Sequence, residues 1–198
     1  IESEFNTRDQ RVFVSQVRQQ QEQFEEFFDQ INQFLIALGT IGELEQLTSF
    51  TGELVVLPTV QNEITTEPAQ TNLSRFIDQY EVETTDLAVQ DRLQQAKEVL
   101  GEEEQNGDVS LIAAVLAYTA EDRPVGVVSD DQRVRTTARG LGATVTGTVG
   151  VIVRAVEEGL DREEAYTLIK RIDSHGLHMT GDLREKAYSL IDNAAEST

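Results

Sequence analysis

The stretch Val125-Gly-Val-Val-Ser-Asp-Asp-Gln-Arg133 decides the fold that we predict for this chain. Its first four residues are apolar, which is typical of a parallel strand covered on both faces. Two aspartates, Asp130 and Asp131, follow the strand directly, and residues 130–141 have helical propensity. A further short strand is predicted at 143–146, after this helix. A strand, a helix and another strand in this order favour parallel pairing.

The rest of the chain extends this alternation in both directions. Strands are also predicted at 53–57, an apolar run that ends at Pro58, and at 80–84. Helices are predicted at 43–50, 87–104, 109–118, 148–158, 163–175 and 182–195. Residues 59–66 suit the start of a helix, and another short helix is predicted to end at 79. Asp108, Asp161 and Thr180 are the predicted N-caps, and Gly159 and Gly176 the predicted helix stops. The predicted fold class is α/β, with three layers and a mainly parallel sheet.

Composition excludes several kinds of chemistry. The chain has 198 residues with an apolar share of 39%, enough for the core of one domain. Because it has no cysteine, a disulfide framework, a thiolate zinc site and a cysteine nucleophile are excluded. No apolar run reaches the length of a membrane span, and no basic start precedes an apolar segment. We therefore expect a soluble, cytoplasmic protein without a membrane partner.

The charge is strongly negative: 36 acidic residues against 16 basic ones give a net charge of −20. The acids are spread along the whole chain, and only three of the cations are lysines. This pattern resembles that of proteins from extreme halophiles, where molar salt screens surface carboxylates within about 3 Å. The alternative is an ordinary acidic protein. Charge alone argues against nucleic acid as a partner, unless high salt or bound cations intervene.

The N-terminal segment has the pattern of a long helix with one apolar seam. Apolar residues recur in alternating steps of three and four, with Gln21 in one slot, and no glycine or proline intervenes before Gly39. The seam consists of Val14, Val17, Phe24, Phe28, Ile31, Leu35 and Leu38. We predict a helical extension over residues 1–34. Its seam either packs against a partner helix, in a homo-oligomer or another protein, or packs against its own domain.

Acidic residues from distant parts of the chain are predicted to meet at one sheet edge. Asp130 and Asp131 follow a strand, Asp108 begins the helix leading to that strand, and Glu63 lies on the helix after strand 53–57. Carboxylates brought together raise one another's pKa unless a hard cation lies among them. Mg²⁺ or Mn²⁺ accepts such oxygens and can activate water against a phosphodiester. The alternative is ordinary: Asp108 and Asp130 would be helix caps and Glu63 a surface acid.

From Leu35 to about Leu190 the sequence resembles PIN domains, in particular the archaeal and bacterial group related to toxin-type ribonucleases. The similar stretches are 35–42 with Leu44 and Leu47, 55–60 followed by Glu63-Ile64, 107–108 before 111–114, 127–133, 141–147 and 150–154. The resemblance implies a PIN-like domain over residues 35–198 that acts on RNA with Mg²⁺ or Mn²⁺. It also implies metal binding by Glu63, Asp108 and the Asp130/Asp131 pair, at the family's second, third and fourth acidic positions, with Glu63, Asp108 and Asp131 catalytic.

One position departs from the family pattern. The first family aspartate is expected about four residues before Leu35-Ile36, where Ile31 stands. Two hypotheses follow. The chain is either a metal-dependent endoribonuclease, or a catalytically degenerate PIN-like module that uses its long helix to associate with itself or with another protein. The remaining candidates, His175 and His178, flank Gly176. We interpret them as a capping and loop pair, in preference to a metal or acid–base pair.

Overall fold

The computed structural model describes residues 33–84, 87–175, 177 and 179–197. Ten α-helices, two strands and one 3-10 helix follow one another there. Before the first strand come α1 Gln33–Ile41, the 3-10 helix Leu44–Ser49, α2 Pro58–Glu63, α3 Ala69–Tyr80, α4 Leu87–Gln90, α5 Leu93–Leu100 and α6 Gly107–Ala120. Then come β1 Gly126–Val128, α7 Gln132–Gly140, β2 Thr144–Thr146, α8 Thr148–Glu157, α9 Arg162–Ser174 and α10 Gly181–Ser197. The fold is a helix-rich α/β fold.

The sheet is smaller than the sequence predicts. Strands β1 and β2 pair in parallel with Val127 opposite Val145, which confirms the strand–helix–strand unit around Asp130 and Asp131. The strands predicted at 53–57 and 80–84 are reduced to one isolated parallel bridge between Val55 and Glu83. They are short because Pro58 begins α2, while α3 continues through Tyr80. The described residues therefore contain two separate parallel pairings.

Side-chain caps mark the beginning of four helices, α6, α7, α9 and α10. Asp161 accepts hydrogen bonds from the backbone N–H groups of Glu163 and Glu164, and Thr180 accepts one from Leu183 N–H, so both predicted caps are confirmed. The prediction that Asp108 caps α6 is wrong, because the capping oxygen belongs to Asn106, which accepts from Val109 N–H at 2.9 Å. Asp108 lies two residues further along, in the first turn of α6.

The helix predicted at 87–104 is wrong in length. It divides into α4 and α5, and α5 ends at Gly101, whose φ of +71° favours glycine. The predicted stop at Gly159 has φ +111° and directly follows the end of α8, whereas Gly176 lies outside the described residues.

The hydrophobic core is one cluster that extends from Phe34 on α1 to Ala194 on α10. The largest fully buried side chains include Leu38, Ile112, Ile152, Leu168 and Ile172. Helix α6 is buried along most of its length, which explains its continuous apolar sequence. Because α6 also begins beside the candidate site, the core fixes the position of that site.

Most of the predicted N-terminal helix, residues 1–32 including Ile31, lies outside the described residues. The last two seam positions, Leu35 and Leu38, lie on α1 and are buried in the domain core. Asn72 on α3 donates to the Gly39 carbonyl at 2.8 Å, and Gly39 lies so near Ala69 that a Cβ there would be 3.2 Å from it, closer than an ordinary contact. The end of the seam is therefore covered by its own domain. No helix among the described residues has the length and apolar character needed to cross a membrane.

Candidate functional site

Glu63 connects α2 to the beginning of α6. It is the last residue of α2, and its Oε1 accepts a hydrogen bond of 2.6 Å from the backbone N–H of Gly107. The first N–H groups of a helix have no partner within the helix and carry partial positive charge, so they attract a carboxylate. This contact spans 44 positions of sequence and places Glu63 next to the first turn of α6.

Asp108 lies in that first turn and is almost completely buried, at 3% exposure. Its pKa is raised from 3.8 to about 6, mainly because burial disfavours the charged form. The negative charges of Asp131 and Glu63 raise the pKa further, while Arg133 opposes them. Asp108 is therefore close enough to both Asp131 and Glu63 for their negative charges to disfavour its ionised form.

Asp131 is positioned by the turn between β1 and α7. Its Oδ1 accepts from Val134 N–H at 2.8 Å and caps α7, and its own N–H donates to Ser129 Oγ at 3.1 Å. Both Asp131 and Ser129 are buried. The short strand β1 therefore ends in a tight, hydrogen-bonded turn that holds the Asp131 carboxylate at the start of α7.

Arg133 supplies the positive charge of this site. Its Nη2 lies 3.3 Å from Asp108 Oδ2, and its Nη1 lies 2.5 Å from Glu102 Oε1. The Arg133 side chain is 46% exposed, so the guanidinium lies at the mouth of the site, with buried Asp108 behind it. Sequence analysis did not single out Arg133 or Glu102. The available signal was a cation two residues after Asp131 in a chain with few cations.

Asp130 has different neighbours, although it is adjacent to Asp131 in sequence. Its carboxylate accepts hydrogen bonds from both the backbone N–H and the hydroxyl of Thr148, at the beginning of α8. Arg135 Nη1 lies 4.0 Å away. Burial raises the pKa of Asp130, and the Thr148 hydrogen bonds oppose this effect. The structure therefore ties Asp130 to α8 and does not bring it together with Asp108.

The donor chemistry of Glu63, Asp108 and Asp131 fits a hard divalent cation. All three offer carboxylate oxygens, the ligands that Mg²⁺ and Mn²⁺ prefer. Asp108 is also buried near two further negative charges, which a cation would offset. In the described part of the chain, no three His, Asp or Glu side chains are placed so that together they could hold a metal ion. Mg²⁺ usually keeps several waters and needs only one or two protein carboxylates, so a complete protein cage is not required.

His175 is exposed at the end of α9, where its Nδ1 lies 2.7 Å from the Arg171 carbonyl oxygen. This is a local contact at a helix C-terminus, in agreement with the interpretation as a capping residue. His178 lies outside the described residues.

The fold and the site together define a class: a parallel α/β domain in which acidic side chains gather beyond the carboxyl end of a strand. The family model for the PIN domain matches residues 32–193. The chain therefore belongs to the PIN-domain family, whose fold is of the nuclease type. The match begins three residues before the domain start predicted at Leu35. No curated protein and no solved structure matches the chain significantly.

Proposed function

We propose that the chain is a metal-dependent endoribonuclease that uses Mg²⁺ or Mn²⁺ held by Asp108 and Asp131, with Glu63 beside them. One observation carries this proposal: the buried carboxylate of Asp108 lies near the negative charges of Asp131 and Glu63, in a chain that belongs to the PIN family. Such a group is costly for the fold, because carboxylates that repel one another away from water destabilise the native state. A bound cation removes that cost.

Each residue has a separate task in this proposal. When bound, the divalent ion would activate a water and polarise the phosphodiester. Asp108 and Asp131 supply negative oxygens, and Ser129 holds the backbone that orients Asp131. Glu63 accepts a hydrogen bond from Gly107 N–H and so places a negative charge beside Asp108. Asp130 is assigned a structural task at the start of α8, and this revises its predicted place among the metal ligands.

The test is cleavage of a labelled single-stranded RNA with Mn²⁺ at high salt, together with the melting temperature as Mn²⁺ is added. Asp108→Asn and Asp131→Asn should each lower the rate by about 100-fold or more, since interactions made in the transition state are worth several kcal/mol. The parent protein should melt at a higher temperature with Mn²⁺, because a ligand of the native state stabilises it. Asp161→Asn, at a helix cap on α9, is the control and should keep both properties.

A degenerate, non-catalytic PIN module is the second candidate. Two observations favour it: Ile31 stands at the first acidic position of the family pattern, and no three ligands converge among the described residues. Such a module would use its N-terminal segment to associate with itself or with another protein. A folded protein whose melting temperature does not respond to Mn²⁺, and which does not cleave RNA, would establish this candidate in place of the nuclease.

Three finer proposals rest on the sequence alone. The toxin-like character, with an antitoxin as protein partner, follows from the resemblance to toxin-type ribonucleases. The halophilic, archaeal origin and the cytoplasmic location follow from the acidic composition and the resemblance. Cell growth on inducible expression of the parent protein and of Asp108→Asn tests the first, since only an active toxin arrests growth in an Asp108-dependent way.

A further inference from the structure

Arg133 occupies the place where a cation is needed. In the described part of the chain it is the one cationic partner of Asp108, and it contacts Oδ2, an oxygen that a metal ion would also need. Two positive groups cannot share that oxygen without repelling each other. If a divalent ion binds at Asp108, the Arg133 guanidinium has to move away.

The second contact of Arg133 limits where it can go. Nη1 is held by Glu102 Oε1, which lies outside the first turn of α6 and is itself partly exposed. A guanidinium released from Asp108 therefore remains tethered at the mouth of the site, with Nη2 free to donate. Arginine suits phosphate because its planar group presents paired donors to two oxygens.

We propose that Arg133 binds the phosphate of the RNA substrate, and that its contact with Asp108 is a resting arrangement which a divalent ion displaces. This inference rests on the proposed nuclease function and adds a residue that exchanges partners. The net charge of −20 repels an approaching phosphodiester, so RNA binding requires a cation at the entrance to the site. The same side chain thus competes with the metal and attracts the substrate.

The test uses Arg133→Met, which removes the charge, and Arg133→Lys, which keeps it. Mn²⁺ affinity is measured by calorimetry at pH 8, where Asp108 is ionised in all proteins. Affinity for a short single-stranded RNA is measured by fluorescence anisotropy with Ca²⁺ present. The matched control is Arg123→Met: Arg123 is similarly exposed, at 50%, and lies over the Tyr118 ring beyond the other end of α6, about 20 Å away.

The proposal expects effects of opposite sign. Arg133→Met should bind Mn²⁺ about threefold more tightly, because a competing ion pair is gone, and RNA about tenfold more weakly. Arg133→Lys should fall between the parent and Arg133→Met in both measurements, and Arg123→Met should match the parent. A merely structural Arg133 would weaken both affinities together, so the opposite signs distinguish a substrate-binding residue from a structural one.

Three results would overturn the inference, and they separate it from the proposed function. Mn²⁺ affinity that is unchanged or weaker in Arg133→Met removes the competition, and unchanged RNA affinity removes the phosphate contact. In both cases the nuclease proposal stands. If neither the parent nor the variants bind Mn²⁺, the metal-dependent function falls and this inference falls with it. Should Arg133→Met fail to fold, Arg133→Gln and Arg133→Lys provide the same comparison.

Discussion

At the scale of single residues, the buried position of Asp108 in the candidate site has a cost for the stability of the fold. Its pKa is about 6 in the folded protein and ordinarily 3.8, so folding favours the protonated form. For an acid with a raised pKa, the contribution to stability is fully present below about pH 3.8 and is lost as the pH rises through about 6. Without metal, the parent protein therefore carries an electrostatic cost at neutral pH.

Asp108→Asn should remove this cost. We expect its stability relative to the parent to be greater at pH 8 than at pH 4, by about 2–3 kcal/mol, in the presence of EDTA. Chemical denaturation at the two pH values measures the difference, and comparison with the parent cancels the titration of the other acids. An Asn variant whose relative stability does not change with pH would show that the ionised Asp108 carboxylate does not destabilise the folded protein.

Gly147 shows a different constraint at the same scale. A side chain there would place Cβ 2.3 Å from Asp130 Oδ1 and 2.6 Å from Arg135 Nη1, in a pocket already filled by the Asp130–Thr148 contact. Gly147→Ala should therefore lower the free energy of unfolding by about 1–3 kcal/mol, because the buried carboxylate has to shift. Gly140→Ala, at a position with open space, is the matched control and should be neutral or slightly stabilising. Equal denaturation midpoints for the two variants would contradict this assignment.

At the scale of elements, sequence reasoning succeeded where the signal was local. The apolar run ending at Val128 and the alternation around Val145 predict β1 and β2, and the capping residues Asp161 and Thr180 predict where α9 and α10 begin. It failed where neighbouring elements competed for the same residues. Helix α3 extends through Tyr80 into a predicted strand, since propensity alone does not determine whether a residue at a boundary joins the helix or the strand.

The candidate site was predicted in the same uneven way. The nearness of Asp108 to Asp131 and to Glu63 followed from strand ends and the family resemblance. The different contacts of Asp130 and Asp131 could not be predicted from the sequence. Adjacent residues in a turn point in different directions, and only tertiary contacts decide which one meets Thr148. The contribution of Arg133 was equally hidden, since its partner Glu102 lies 31 positions away in sequence.

The caps of α6 and α9 allow a comparison between elements. Asn106→Ala and Asp161→Ala each remove a capping oxygen and should each cost about 1 kcal/mol of stability. Only Asn106 holds the turn that carries Asp108. We therefore expect Mn²⁺ affinity, measured by calorimetry, to fall in Asn106→Ala and to stay at the parent value in Asp161→Ala. If both variants keep the parent affinity, the start of α6 does not position the site.

At the scale of the whole molecule, the excess of 20 negative charges dominates behaviour in solution. Screening extends over about 3 Å at 1 M salt but over about 10 Å at 0.1 M, so lowering the salt lets surface carboxylates repel one another. We expect the melting temperature to fall when the protein is moved from about 2 M to about 0.1 M KCl. Sucrose added in place of KCl is the control and should not restore it fully. A melting temperature independent of salt would remove the argument for a saline cytoplasm.

The N-terminal seam raises the remaining question about the whole molecule, namely what covers it. Its last positions, Leu35 and Leu38, are buried in the domain, so that end needs no partner. For the seam from Val14 to Ile31, burying each large apolar side chain is worth about 1.5–3 kcal/mol, which makes a fully solvated seam unfavourable. Gln21 interrupts it, as a polar residue does where two helices set their register. We expect a second copy of the chain to cover this part.

Removal of residues 1–31 tests this expectation and keeps the whole region that matches the PIN family. In sedimentation at high salt and micromolar concentration, the intact chain should form a dimer or larger oligomer. The shortened chain should be a folded monomer with a cooperative melting transition, because the described residues form one continuous hydrophobic core. An intact chain that sediments as a monomer excludes self-association. A shortened chain that is unfolded shows that the segment packs on its own domain, as Leu35 and Leu38 already do.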